Sequence, residues 1–92
     1  MMELEDITLE RYEEGELVVK EEARQILSKG AWSTVAYMYR ERQADGEFGD
    51  AKVRLVRYQK RKGRYQVHSR FNITGPKQVH QLVELLSEWY TQ

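Results

Sequence analysis

Two breaks in the last third of the chain constrain its fold most. Lys62-Gly63 separates residues 51–61 from 64–74, and Thr74-Gly75-Pro76 ends the second run. A short glycine turn between two runs rich in valine, tyrosine and arginine reads as a β-hairpin. In the second run Tyr65, Val67, Ser69, Phe71 and Ile73 fall on one side of a strand. Arg64, Gln66, His68, Arg70 and Asn72 fall on the other. The first run is less regular: Val53 and Leu55 share a side and Val56 breaks the alternation, which fits a bulge near Val56. Pro76 lacks an N–H and has a fixed φ, so it suits a first helical turn, with Thr74 or Gly75 as the cap. Beyond it Val79, Leu82, Val83, Leu86 and Tyr90 line one stripe of a helix. Leu85 and Trp89 widen that stripe to an arc of about 160° at 100° per residue.

Upstream, residues 32–42 (WSTVAYMYRER) read as a strand and 44–50 (ADGEFGD) as a hairpin loop. A further strand is expected near 24–28, although KEEARQIL favours a helix. Residues 1–15 read as a loose, partly disordered acidic arm, with Leu4, Ile7, Leu9 and Tyr12 as its apolar anchors. The expectation is an α+β domain over 16–92: a four-stranded antiparallel sheet, then one C-terminal amphipathic helix on its apolar face (β-β-β-β-α). One sheet needs a narrower helical stripe than 160°. Leu85 and Trp89 are therefore candidates for a dimer interface, the alternative being a curved sheet that wraps the helix.

Charge is segregated. The chain has a formal net charge of zero, yet residues 51–70 hold eight lysines and arginines and no acid, while residues 1–30 hold nine acids and four bases. Such blocks are interaction signals. Catalysis has little to stand on: the chain has no cysteine, two separated histidines, and no glycine-rich phosphate loop or nucleophile motif. His80 and Glu84 at i, i+4 read as a helix surface pair rather than metal ligands. No enzyme activity, cofactor, metal or small-molecule substrate is expected. Apolar runs are short and the start is acidic, so neither membrane insertion nor a signal peptide is expected, and the cytoplasm is the default location.

The basic hairpin carries the functional reading. Lys52, Arg54, Tyr58 and Lys60 share a phase of its first strand, and Arg64, His68 and Arg70 share a phase of its second. Arg61 and Lys62 sit at the turn, and Arg57 joins either face. Tyr37 and Tyr39 share a phase of the preceding strand. Cations neutralise phosphates and release counterions, and aromatic faces stack on unpaired bases whatever their sequence. Single-stranded DNA or RNA is the partner this combination fits. Exposed sheet faces are ordinarily charged, however, and the tyrosines could be packing residues. The other reading is a protein-interaction module whose basic face meets an acidic partner. The arm itself, with Glu3, Glu5, Asp6, Glu10, Glu13, Glu14, Glu16 and then Glu21, could compete for that face in cis.

A strand beginning near QILSKGAW, a long strand, a basic hairpin, and RFNITGPKQVHQLVELL leading into a terminal helix resemble the single-stranded-DNA-binding domain of the transcriptional positive cofactor 4 family. The plant Whirly proteins are more distant relatives of that architecture. The resemblance spans about residues 24–90 and lies in element order more than in letters. The family's usual lysine-glycine step before the helix is replaced here by HSRFNI. The resemblance implies a homodimer through the helix, and single strands bound on the sheets by residues of the 51–70 hairpin with Tyr37, Tyr39 and Tyr58. It also implies a role in transcription or DNA maintenance.

Overall fold

Two tight turns with a glycine second set the topology. Glu14-Gly15 and Lys62-Gly63 each hold two consecutive positive φ angles, 51° and 82° in one and 52° and 76° in the other. That is the conformation whose twist matches a two-residue hairpin. The computed structural model describes residues 3–91. Its strands are β1 (Arg11–Glu13), β2 (Glu16–Ser28), β3 (Trp32–Glu41), β4 (Lys52–Arg61) and β5 (Arg64–Ile73), followed by helix α1 (Pro76–Trp89). The five strands form one antiparallel meander in chain order. The sheet thus has one strand more than the four expected. The extra strand comes from the acidic arm, whose Arg11–Glu13 pairs with the start of β2. Pairing along β3 also overrides the helical propensity of residues 20–27.

Bulges decide which side chains share a face. The irregularity in the hairpin falls just past Val56, between Arg57 and Tyr58, with the extra residue on β5 at His68: Arg57 pairs with Ser69 and Tyr58 with Val67. One extra residue flips the phase of everything before it. Tyr65 and Val67 therefore lie on the face of Tyr58, while Ser69, Phe71 and Ile73 lie on the face of Val53 and Leu55. Sequence alternation had put all five together.

The main core sits on one face; on the other, Ile73 is 4% exposed. Ser33, Val35, Tyr37 and Tyr39 of β3 and Val56 and Tyr58 of β4 are buried on the core face, in register as cross-strand neighbours. Val56, which broke the alternation of the apolar side, belongs to this core. The covering layer is the chain's own beginning. Leu4, 1% exposed in a short 3-10 turn (Leu4–Asp6), packs on Val35, Tyr37, Val56 and Tyr58, with Ile7, Leu9, Ile26 and Tyr65 around it. Residues 3–9 are thus a seated segment rather than a loose arm.

The helix, expected to cover the sheet, does not. No residue of α1 is buried. Val79 and Leu82 are half-buried, and Val83, Leu85, Leu86, Trp89 and Tyr90 are exposed. Gly75, at φ 122° and ψ 152°, sets the direction in which the helix leaves the sheet. The chain is flat, 47 × 39 × 17 Å, with a radius of gyration of 15.1 Å. A compact chain of this length has a radius of about 12 Å.

Candidate nucleic-acid interface

An antiparallel meander sends alternate turns to opposite ends of the sheet, and here each end has its own charge. The β2–β3 turn brings Lys29, and the β4–β5 turn brings Arg61, Lys62 and Arg64, to one end. The bond from Lys60 N to Ala31 O, 2.8 Å, ties these two turns together. The β1–β2 turn and the 42–51 loop bring Glu13, Glu14, Glu16, Asp45, Glu47 and Asp50 to the other end. A chain of zero net charge is therefore a molecule with a basic end and an acidic end. The ADGEFGD acids lie away from the basic tip.

The structure divides the expected site residues into three groups. Lys52, Arg54, Tyr37, Tyr39, Tyr58 and Lys60 share the core face. Of these the three tyrosines are 1–2% exposed, so none presents a ring for stacking while residues 3–9 are seated. The Tyr37 and Tyr58 hydroxyls lie 2.8 Å apart in a buried hydrogen bond. Burial, and then that hydrogen bond, push the Tyr58 phenol well above its ordinary value. Arg54 lies over the Tyr39 ring, 4.7 Å from its centroid, and donates to Asn72 Oδ1 at 2.6 Å. Lys52 is paired with Glu41 at 2.5 Å, which lowers the carboxyl of Glu41 and raises the ammonium of Lys52.

The second group is the tip. Arg61, Lys62 and Arg64, with Gln66, line an open recess and are exposed. Lys60 of the first group reaches this end, over the Tyr65 ring at 5.4 Å, whereas Arg70 stands exposed opposite Val56, away from the tip. Among the described residues, none of Arg57, Lys60, Arg61, Lys62, Arg64 and Arg70 has an acidic partner; Lys52 alone in the hairpin does. Among the described residues the arm's acids make no ion pair with the hairpin. Glu13, Glu16 and Glu21 pair with Arg11, Arg42 and Arg24, and Glu5 with Lys29.

The third group lies on the far face and includes a residue that strand phase alone did not mark. Trp32 stands opposite Gln59 at the basic end and is 40% exposed. Arg57 lies over its ring at 4.6 Å, and His68, placed by the bulge, meets it edge-on at 4.7 Å. A ring already held by a guanidinium, beside free cations, can stack on a base. The signal was available in the strand start GAW, two residues from the basic turn once β3 and β4 are paired. Arg24 and Lys29 were also missed, because residues 5–7, which both of them hold, were read as part of a loose arm. The rest of the far face is apolar. Met38 and Phe71 are exposed, Val53 and Leu55 half-buried, and two shallow grooves of about 330 and 280 Å³ run between them.

Among the described residues no cluster of histidine and acidic side chains could hold a metal ion, and no helix is long and apolar enough to cross a membrane. No family of proteins, no curated protein and no solved structure matches the chain.

Proposed function

We propose that the protein is a dimeric, largely sequence-independent binder of single-stranded nucleic acid, without catalytic activity, that works in transcription or DNA maintenance in the manner of the positive cofactor 4 family it resembles. The observation that carries this reading is the set of hairpin cations without acidic partners, with Arg57, Lys60, Arg61, Lys62 and Arg64 toward one end of the sheet beside Trp32 and Arg70 farther along β5. Single-sign charge on neighbouring strands costs stability. Its retention fits a polyanion that supplies the missing counter-charge. Rings at Trp32 and Tyr65 flank the tip and supply stacking surface, each already carrying a cation over its face.

The dimer has separate support. The protomer exposes 7093 Å², where a monomer of this mass exposes about 5,600 Å². The surplus coincides with two unpartnered apolar surfaces, the α1 stripe and the part of the far face formed by Met38, Val53, Leu55 and Phe71, away from Trp32. A second copy would cover both, with Leu85 and Trp89 joined in the interface by Val83, Leu86 and Tyr90.

One observation favours the protein-partner reading: an acidic segment of this very chain, residues 3–9, already rests on the core face. The two readings separate in a titration of a labelled ~20-nucleotide strand followed by anisotropy. Six cations on a single strand give a slope of log affinity against log salt of about −4. That slope, with duplex as a weaker competitor, supports the proposal. No binding at low salt overturns it and leaves an acidic protein as the partner.

A further inference from the structure

Residues 3–9 occupy a seat on the core face built from Arg24, Lys29, Tyr37 and Tyr58. The segment crosses the core face beside the basic end, and its contacts are those a single strand would make. Arg24 Nη1 donates to two backbone carbonyls, Glu5 O at 2.7 Å and Ile7 O at 2.6 Å. Lys29 Nζ meets the Glu5 carboxylate at 2.8 Å. Leu4 and Ile7 lie on the cluster formed by Tyr37, Tyr58, Val35 and Val56. Cations thus take a row of oxygens along an extended backbone, and tyrosines take flat apolar contact between them. A phosphodiester backbone offers the same oxygens with full charge, and its bases offer better stacking surface than leucine or isoleucine. The segment is held by few bonds besides: Thr8 Oγ1 and Leu9 N both donate to the Glu21 carboxylate.

We infer that residues 3–9 are a displaceable occupant, and that a single strand anchored at the basic tip runs on across the core face over Arg24, Lys29, Tyr37 and Tyr58 when they leave. The inference rests on the nucleic-acid reading. It moves the stacking role of Tyr37 and Tyr58 to the displaced state, and it assigns Arg24 and Lys29 to phosphate contact. The inhibition it implies comes from carbonyl oxygens, the Glu5 carboxylate and two aliphatic side chains, not from the number of acids in the segment.

The test uses the full chain and a ~20-nucleotide oligothymidine. Hydrogen exchange at the amides of Leu9 and Glu10 should accelerate when the strand binds; unchanged or slower exchange overturns the inference. Leu4→Ala weakens the seat without changing charge and should tighten binding about 10- to 100-fold; equal or weaker affinity in a folded variant overturns it as well. Binding with the arm amides unmoved removes this inference alone and leaves the tip as the site. No binding by either chain removes the nucleic-acid reading together with it.

Discussion

Replacing Trp89 with glutamate should turn a dimer into a monomer. The surplus of accessible surface is about 1,500 Å² per protomer, or about 3,000 Å² per pair, which falls within the roughly 2,000–5,000 Å² buried by obligate homodimers. Trp89 is 67% exposed in the protomer and sits in the last turn of α1, beside Leu85 and Leu86 at 39% and 44%. Truncating a tryptophan at the centre of an interface costs about 2–4 kcal/mol. A two-fold interface loses the contact twice, so the loss is about 4–8 kcal/mol per dimer, or a factor of about 10³–10⁶ in Kd. A carboxylate left in that place adds desolvation to the loss. A nanomolar dimer would then be micromolar or weaker. Sedimentation equilibrium at about 0.1 μM reads the result: the parent chain at twice 11.0 kDa, Trp89→Glu at 11.0 kDa. The reasoning is refuted if the parent chain sediments as a monomer at about 100 μM, or if the variant remains a dimer at about 0.1 μM.

Four further outcomes follow from named contacts. Leu4→Ala removes a side chain that is 1% exposed and should cost about 2–5 kcal/mol if the seated segment unfolds with the sheet; a smaller loss in thermal denaturation would mean that the segment detaches first. Gly75→Ala forces a side chain into a φ, ψ region that glycine alone occupies readily and should cost about 1–3 kcal/mol, lowering Tm by roughly 4–8 °C per kcal/mol; an unchanged Tm would show that the helix can leave the sheet another way. Arg61→Ala with Arg64→Ala should reduce the salt slope of strand binding by about 1.4, and an unaltered slope would remove the tip from the interface. The Lys29 ammonium holds the Glu5 carboxyl below its ordinary 4.5. Its contribution to seating the segment is therefore complete above about 4.5 and is lost as pH falls through the lowered folded value. An NMR titration of the Glu5 carboxyl with a midpoint at or above 4.5 would contradict that.

Sequence was most informative where local chemistry governs. Lys62-Gly63 could only turn, Gly75-Pro76 could only stop a strand and start a helix, and the basic composition of 51–70 travels with the hairpin wherever it folds. Residues 11–16 were harder. Their acids suggested a disordered tail, and the Glu14-Gly15 turn, the same device as Lys62-Gly63, went unmarked inside them. The Val56 irregularity was real, but its cause was a core on the opposite face; the bulge just past it places its extra residue on β5.

The α+β class, the β-hairpin at Lys62-Gly63 and the start of the helix at Pro76 are properties of the chain alone, because turn geometry and side-chain period act between near neighbours. Tertiary structure decided which face of the sheet became the core, and what covered it. One extra residue at His68 reversed the phase of half of β5, and Leu4, more than 30 residues distant in sequence, covered Tyr37 and Tyr58 on the face expected to be open, while the helix left the face it was expected to cover. No local pattern encodes that exchange. A short aliphatic segment and an amphipathic helix both satisfy an apolar sheet face, and only the packing of the whole chain selects between them.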